Sequence, residues 1–511
     1  MGASLEPQPA SGQGRTVVSW LFASSEKGVV RRARYLEDID ASVQKEQQPK
    51  DGDSTDTPSK AQTNTADLDE EYNGPEIAVH EGRHTNDSRS LGTIAAFFNM
   101  IAFSIALGIL SIPVVVSTIG IVPFVLLCFL FAVLSYYVGY QYWRIAMMYP
   151  GVHNLEHTGD LMFGPIGAQI LSIVQLIFTI FVQGNHALLG GYAFWYLGWR
   201  TCMVTMVAVF SIVSCIFTLP RSYRLFAFLA AISFASIITV VIIVMIAAGV
   251  GGPQNTSKEN PEVAVLAFGA AEEVPHSFLD GMNGVCAIFL SFGAFPSYLP
   301  VIAEMRKPHR FKISLAMLST ISLVLYIIVG CVVNNYLGQY AKSPSLGSLS
   351  PIMNKISYGL GLPTIMIAGC ASGQVSAKAL YIILFRGKRK HWRDNPVIDW
   401  GAWIVINIIT WALAFTLAEV IPFFTSFLTL EGALFWSLFL CLSGVMYLWR
   451  HQYDYRSSWK NILGTTASIC IIGIGGFLMV VGVWAGAVSI RDQYKTGSVG
   501  SPFSCSFADS K

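Results

Sequence analysis

Charge is what this chain has least of. Only 13% of its 511 residues are Asp, Glu, Lys or Arg, against 53% hydrophobic and 13% aromatic. A soluble domain carries about 25% charged residues, so a water-exposed globular body of this size is excluded. The signatures of several chemistries are missing too. The sequence contains no phosphate-cradling glycine loop, no His-Glu-x-x-His helix, no nucleophile elbow and no nucleic-acid motif. An enzyme, a nucleic-acid partner and a resident cofactor are therefore not expected. The nine cysteines have no metal-ligand spacing, and no metal site is expected. Seven of them (Cys128, Cys215, Cys286, Cys331, Cys370, Cys441, Cys470) lie in apolar runs, where a thiol serves as a small core side chain. With no nucleotide-binding domain, uphill movement of a solute would have to draw on an ion gradient. Nothing resembles a repeated pore loop or a ring of acids, which argues against a channel.

What the chain has instead is long apolar runs. Several reach the 18 residues or so that cross a bilayer, so the fold class is an all-α polytopic membrane protein embedded in lipid. Hydropathy places eleven transmembrane helices at about 93–121, 123–142, 166–192, 202–219, 225–250, 283–302, 314–337, 362–384, 400–418, 423–449 and 464–490. Residues 1–90 are rich in Gln, Ser, Thr, Asp and Glu and read as a disordered cytoplasmic tail, a place where regulatory proteins could dock. No apolar signal-peptide core is found there. Residues 91–490 form the transmembrane domain, and 491–511 a short extracytoplasmic tail. With the N-terminus inside, the inner loops hold fifteen lysines and arginines and the outer segments seven, the asymmetry the positive-inside rule requires. The sequon at Asn255 falls in the predicted outer loop 251–282, which points to glycosylation on a secretory route; the plasma membrane rather than the vacuole is the expected destination.

Two spans are interrupted. Ala106 to Pro113 reads ALGILSIP inside roughly thirty residues without an ionisable side chain, about the length of one crossing. Gly108 exposes backbone, Ser111 offers a hydroxyl, and Pro113 removes an amide donor. The sixth span carries SFGAFPSYLP, Ser291 to Pro300, with serine, glycine and proline at a matching place. If spans 1–5 and 6–10 are repeats, their odd number inverts one against the other, and a pair of broken spans at corresponding positions marks a midplane site. The other reading is two independent proline kinks. Half-helix N-termini suit a carboxylate and half-helix C-termini an ammonium group, so a zwitterionic amino acid matches such a site. The candidate substrate contacts are Ala106, Gly108, Ser111, Ser291, Phe292, Gly293 and Phe295, with Tyr298 as a further wall.

Ionisable groups inside the membrane are costly, so each needs a reason. Lys378 lies eight residues before Arg386, about 12 Å deep along the eighth span. Either its stem snorkels to the inner surface, or its ammonium sits near the first break and couples proton movement to transport. His186 in the third span is a hydrogen-bonded core residue or a proton sensor lining the substrate. Glu304 at the inner end of span six pairs with a nearby base or gates the inner side. Glu431 is a candidate proton carrier, Glu419 is placed at the outer surface in solvent, and 153–164 reads as an interfacial amphipathic helix.

The first span resembles that of the amino acid/auxin permease family, whose first helix carries a similar glycine-rich break ending in Leu/Ile-Pro. Phe289 to Phe311, FLSFGAFPSYLPVIAEMRKPHRF, resembles its sixth span, and Tyr358 to Gly387 its eighth. The likeness covers roughly residues 90–490 and is strongest to fungal neutral amino acid permeases. It implies an eleven-helix, 5+5 inverted-repeat transporter fold and symport of neutral L-amino acids, with the proton rather than sodium as coupling ion. Where many members carry a polar Tyr-Gly-Gly-His in the sixth span, this chain has the less polar Phe292-Gly293-Ala294-Phe295. The alternatives are an amino acid sensor signalling through the tail, and a sodium-coupled or vacuolar transporter.

Overall fold

The computed structural model describes residues 91–149, 151–221, 223–254, 262–271, 274, 277–385, 396–452, 457–495 and 502–505. The tail 1–90, Asn255 and the basic loop Arg386–Arg393 lie outside the described residues. The rest is almost wholly helical. α1 (Thr93–Gly108) and α2 (Ile112–Ile119) are the two halves of the first span. α3 (Ile121–Met148) is the second and, after the short α4 (Leu155–Phe163), α5 (Pro165–Leu197) is the third. α6 (Met203–Thr218) and α7 (Tyr223–Gly251) follow, then α8 (Phe278–Ser291) and α9 (Phe295–Glu304), which divide the sixth span. α10 (Phe311–Leu337), α11 (Pro351–Phe385) and α12 (Pro396–Val420) come next. The tenth span is α13 (Phe424–Glu431), a π turn (Gly432–Trp436) and α14 (Ser437–Arg450), and α15 (Trp459–Lys495) is the eleventh. Among the described residues nine helices are long and apolar enough to cross a membrane; the broken first span and the 16-residue α6 are the shorter apolar two.

The packing follows the pattern of two five-span repeats. Span 1 lies against span 7 as span 6 lies against span 2, and span 1 against span 5 as 6 against 10. Span 5 meets 8 as 10 meets 3, and 3 meets 9 as 8 meets 4. Exchanging the first five spans for the second five thus returns most of the main neighbours.

Two local features tie loops to the helix ends. Gly120, at φ +88°, turns the chain from α2 into α3, and a Cβ there would lie 2.7 Å from Phe268 Cα. Only glycine allows both the positive φ and the overlying loop. The loop then pairs with the turn, Ile121 and Val122 donating to the Leu266 and Ala267 carbonyls and Gly269 to Ile119. The two cysteines outside the apolar runs, Cys202 and Cys505, form a disulfide that ties the C-terminal segment to the start of α6. Phe503 beside it packs on Phe415 of α12, ring centroids 6.3 Å apart.

Two expectations fail. α4 is not an amphipathic helix on an interface: every residue from Leu155 to Met162 is buried, because α4 folds back along the start of α5. His157 Nδ1 of this helix accepts the His153 amide at 3.1 Å. Glu419 is not solvated but buried, with 7% of its surface exposed.

Candidate substrate cavity between two broken helices

The two interruptions meet. A Cβ on Gly108 would stand 2.1 Å from Ser291 Oγ and 2.8 Å from Ser291 Cα, so glycine is what lets the first break touch the sixth. The contact is then stitched by hydroxyls. Ser104 and Tyr326 each donate to the Ser291 carbonyl at 2.6 Å, and Ser135 donates to the Phe292 carbonyl at 2.7 Å. Within the first break Ser111 donates to the Gly108 carbonyl at 2.9 Å, and the Ser345 amide of the loop between α10 and α11 donates to the Leu110 carbonyl at 2.8 Å. Backbone left unpaired in a membrane has to find partners, and here side chains from spans 1, 2 and 7 supply them.

Beside this junction lies a cavity of about 30 Å³, walled in part by Ser104, Gly108, Phe178, His186, Glu431 and Trp436. That is the scale of one or two waters, too small for an amino acid, so admitting a solute requires the walls to move. Trp436 is the wall that covers the sixth-span break. Its indole lies over Gly293, where a Cβ would come within 2.3 Å of Cζ3, and meets the Phe295 ring edge-on at 4.4 Å.

The polar atoms around the cavity are incompletely used. His186 donates from Nδ1 to the Val182 carbonyl at 2.8 Å, which leaves Nε2 as an acceptor without a protein partner. Asn185 donates to Glu431 Oε2 at 3.3 Å, while Glu431 Oε1, Asn185 Oδ1 and Trp436 Nε1 have no hydrogen bond. Glu431 is fully buried and sits immediately before the π turn, an irregularity common at functional sites. Buried polar atoms without partners are rare, and several around one cavity fit a site that engages a polar solute.

The sequence candidates divide accordingly. Gly108 and His186 line the cavity, and Ser291, Gly293 and Phe295 build the junction beside it. Ser111 spends its hydroxyl on the break itself, and Phe292 packs edge-on against Tyr326, ring centroids 5.0 Å apart. Ala106 lies within α1, its side chain outside the described residues. Lys378 is half-buried on α11 and does not line the cavity. Glu304 ends α9, its carbonyl taking the Leu91 amide while the Arg306 amide donates back to the Leu91 carbonyl. This bridge ties the entry to span 1 onto the C-terminal end of span 6. Sequence reasoning missed Ser104, Ser135, Asn185, Tyr326 and Trp436; only Asn185, adjacent to His186, had a visible signal.

Comparison with known proteins agrees with this architecture. The profile of a family described as transmembrane amino acid transporter protein matches residues 89–488. The N amino acid transport system protein of Neurospora crassa is 27% identical over 410 residues, covering 80% of this chain and 86% of that protein. A transmembrane transporter of Gibberella moniliformis is 25% identical over 405 residues, 78% of this chain and 84% of that one. Among solved structures, a nucleobase-cation-symport-1 family transporter in a closed conformation with bromovinylhydantoin bound aligns with a TM-score of 0.46 at 14% identity, over 80% of this chain and 93% of that one.

Proposed function

Because the chain belongs to the transmembrane amino acid transporter family, we propose that it is a proton-coupled symporter that brings neutral L-amino acids into the cell. The observation that carries this reading is the meeting of the two broken spans at Gly108 and Ser291, beside a cavity with a buried acid. Amide ends of half-helices favour the substrate carboxylate, and the carbonyl ends its ammonium. Phe178, Leu290 and Trp436 offer an apolar wall, which suits an uncharged side chain. A proton crossing about 100 mV is worth about 2.3 kcal/mol, enough to concentrate a neutral solute tens of times.

The same reading places the N-terminus in the cytoplasm and the protein in the plasma membrane. The basic inner loops support it, and so does the Cys202–Cys505 disulfide. Both cysteines fall on the outer side in this orientation, where the oxidising environment lets a disulfide persist.

Uptake of radiolabelled neutral amino acids into sodium-free proteoliposomes tests the proposal. An inside-alkaline pH gradient should drive accumulation. Accumulation that requires sodium and ignores pH overturns the proton assignment, and binding without flux under any gradient identifies a sensor instead.

A further inference from the structure

We propose that Glu431 is the residue that carries the coupling proton and that Asn185 is the positioning residue that holds its carboxyl against the cavity. The proposal rests on the proton-symport reading above and adds to it the site where the proton resides. Glu431 is fully buried on α13, about 10 Å along that helix from Phe424, and faces the cavity that the two breaks share. One carboxyl oxygen is anchored by Asn185 and the other has no protein partner. A buried carboxylate is tolerated when a cation accompanies it, and otherwise takes a proton.

The helices packed against this segment are α5, α8 and α15. Their titratable or charged groups nearest Glu431 are His186 on α5, across the cavity, and Cys286 on α8, whose carbonyl lies against Gly432. The others stand farther along these helices: Tyr192 and Tyr196 on α5, Asp280 in the capping box of α8, and Lys460, Cys470, Arg491 paired with Asp492, Tyr494 and Lys495 on α15. Among the described residues no ion pair reaches Glu431, so the proton itself is the available counter-charge.

The chemistry balances simply. An O–H bond forms at Oε1 when the carboxylate takes a proton from water that enters on the outer side. The same bond breaks when the proton leaves to inner water. The neutral acid can donate a hydrogen bond into the cavity; the carboxylate cannot, and it repels a substrate carboxylate. Substrate and proton would therefore bind together and leave together, which is symport. The π turn that follows brings Trp436, a wall of the same cavity, onto the sixth-span break at Gly293, so Glu431 and the indole over that break stand at the two ends of one turn.

Glu431→Gln, which mimics the protonated acid, provides the test. In proteoliposomes at equal pH on both sides, the substrate exchange that E431Q retains should have a rate independent of pH. Under a gradient of one pH unit the wild type should accumulate substrate about tenfold, and E431Q should stop at an equal concentration on both sides. An E431Q protein that accumulates like wild type overturns the proposal, as does one that loses exchange and accumulation alike while still unfolding at the wild-type temperature. If E431Q does not reach the membrane, E431D decides: it should still accumulate on the gradient with a displaced pH midpoint, and an unmoved midpoint overturns the assignment. Asn185→Leu should displace the same midpoint, an effect a purely structural role would not produce. A wild-type protein that ignores the pH gradient refutes the symport reading itself, whatever Glu431 does.

Discussion

The contact between the two breaks makes a sharp prediction for Gly108→Ala. The added Cβ would lie 2.1 Å from Ser291 Oγ, 2.5 Å from Ser291 Cβ and 2.8 Å from Ser291 Cα, where ordinary contact begins at 3.4 Å. Turning the serine hydroxyl away relieves only the first of these. The last is backbone, so α1 and α8 have to separate by several tenths of an ångström. Overpacking of this kind costs about 1–3 kcal/mol. The Ser104 bond to the Ser291 carbonyl, now 2.6 Å, is stretched by the same movement, and a hydrogen bond is worth about 0.5–1.5 kcal/mol. Together that is about 2–4 kcal/mol against the closed junction, or roughly 30- to 1000-fold in its population. Initial uptake rates normalised to surface protein should fall by that order, with KM raised. Ser291→Gly removes two of the three clashing atoms and should restore part of the loss when combined with G108A. G108A transport within twofold of wild type at unchanged KM would refute the close-approach argument, and so would a double variant no better than G108A alone.

Other consequences are equally direct. Gly293→Val drives a side chain into Trp436, where a Cβ alone would meet the indole at 2.3 Å; uptake should fall at least tenfold with surface expression retained, and normal uptake would separate Trp436 from the transport cycle. Cys202 and Cys505 should appear as one cross-linked peptide pair under non-reducing digestion and react with a membrane-impermeant thiol reagent only after reduction; free thiols before reduction would contradict the tie. His157, between the second and third spans, is held neutral: burial first, then the neighbouring His153, push it from 6.5 down to about 3, against a Gly151 backbone hydrogen bond. Because the folded value lies below the unfolded one, its contribution is complete above pH 6.5 and is lost as pH falls towards 3, about 2 kcal/mol by pH 5. Thermal unfolding of the purified protein at pH 7.5 and 5 should show this loss, and His157→Gln should reduce it.

Legibility differed from element to element. The eleven spans were readable because a bilayer admits only helices long and apolar enough to cross it, and that requirement is written into consecutive residues. The breaks at Gly108 and Gly293 were readable because glycine, serine and proline together in an apolar run have few other uses. α4 was misjudged because a short helix with polar residues on one face looks amphipathic whichever surface it is pressed against. Glu419 was misplaced because position along a span says nothing about neighbours on the adjacent helices.

The sequence by itself therefore determined the class, the number of crossings, the pairing of two interrupted spans and the family likeness, since each depends on order along one chain. Only the tertiary structure decided what the interruptions do. Ser104, Ser135 and Tyr326 close the exposed carbonyls from three different spans, Trp436 covers the sixth-span break from the tenth, and Glu431 meets Asn185 across 246 positions of sequence. Such contacts arise from folding one repeat against its inverted partner, and no local pattern of residues encodes which side chain arrives there.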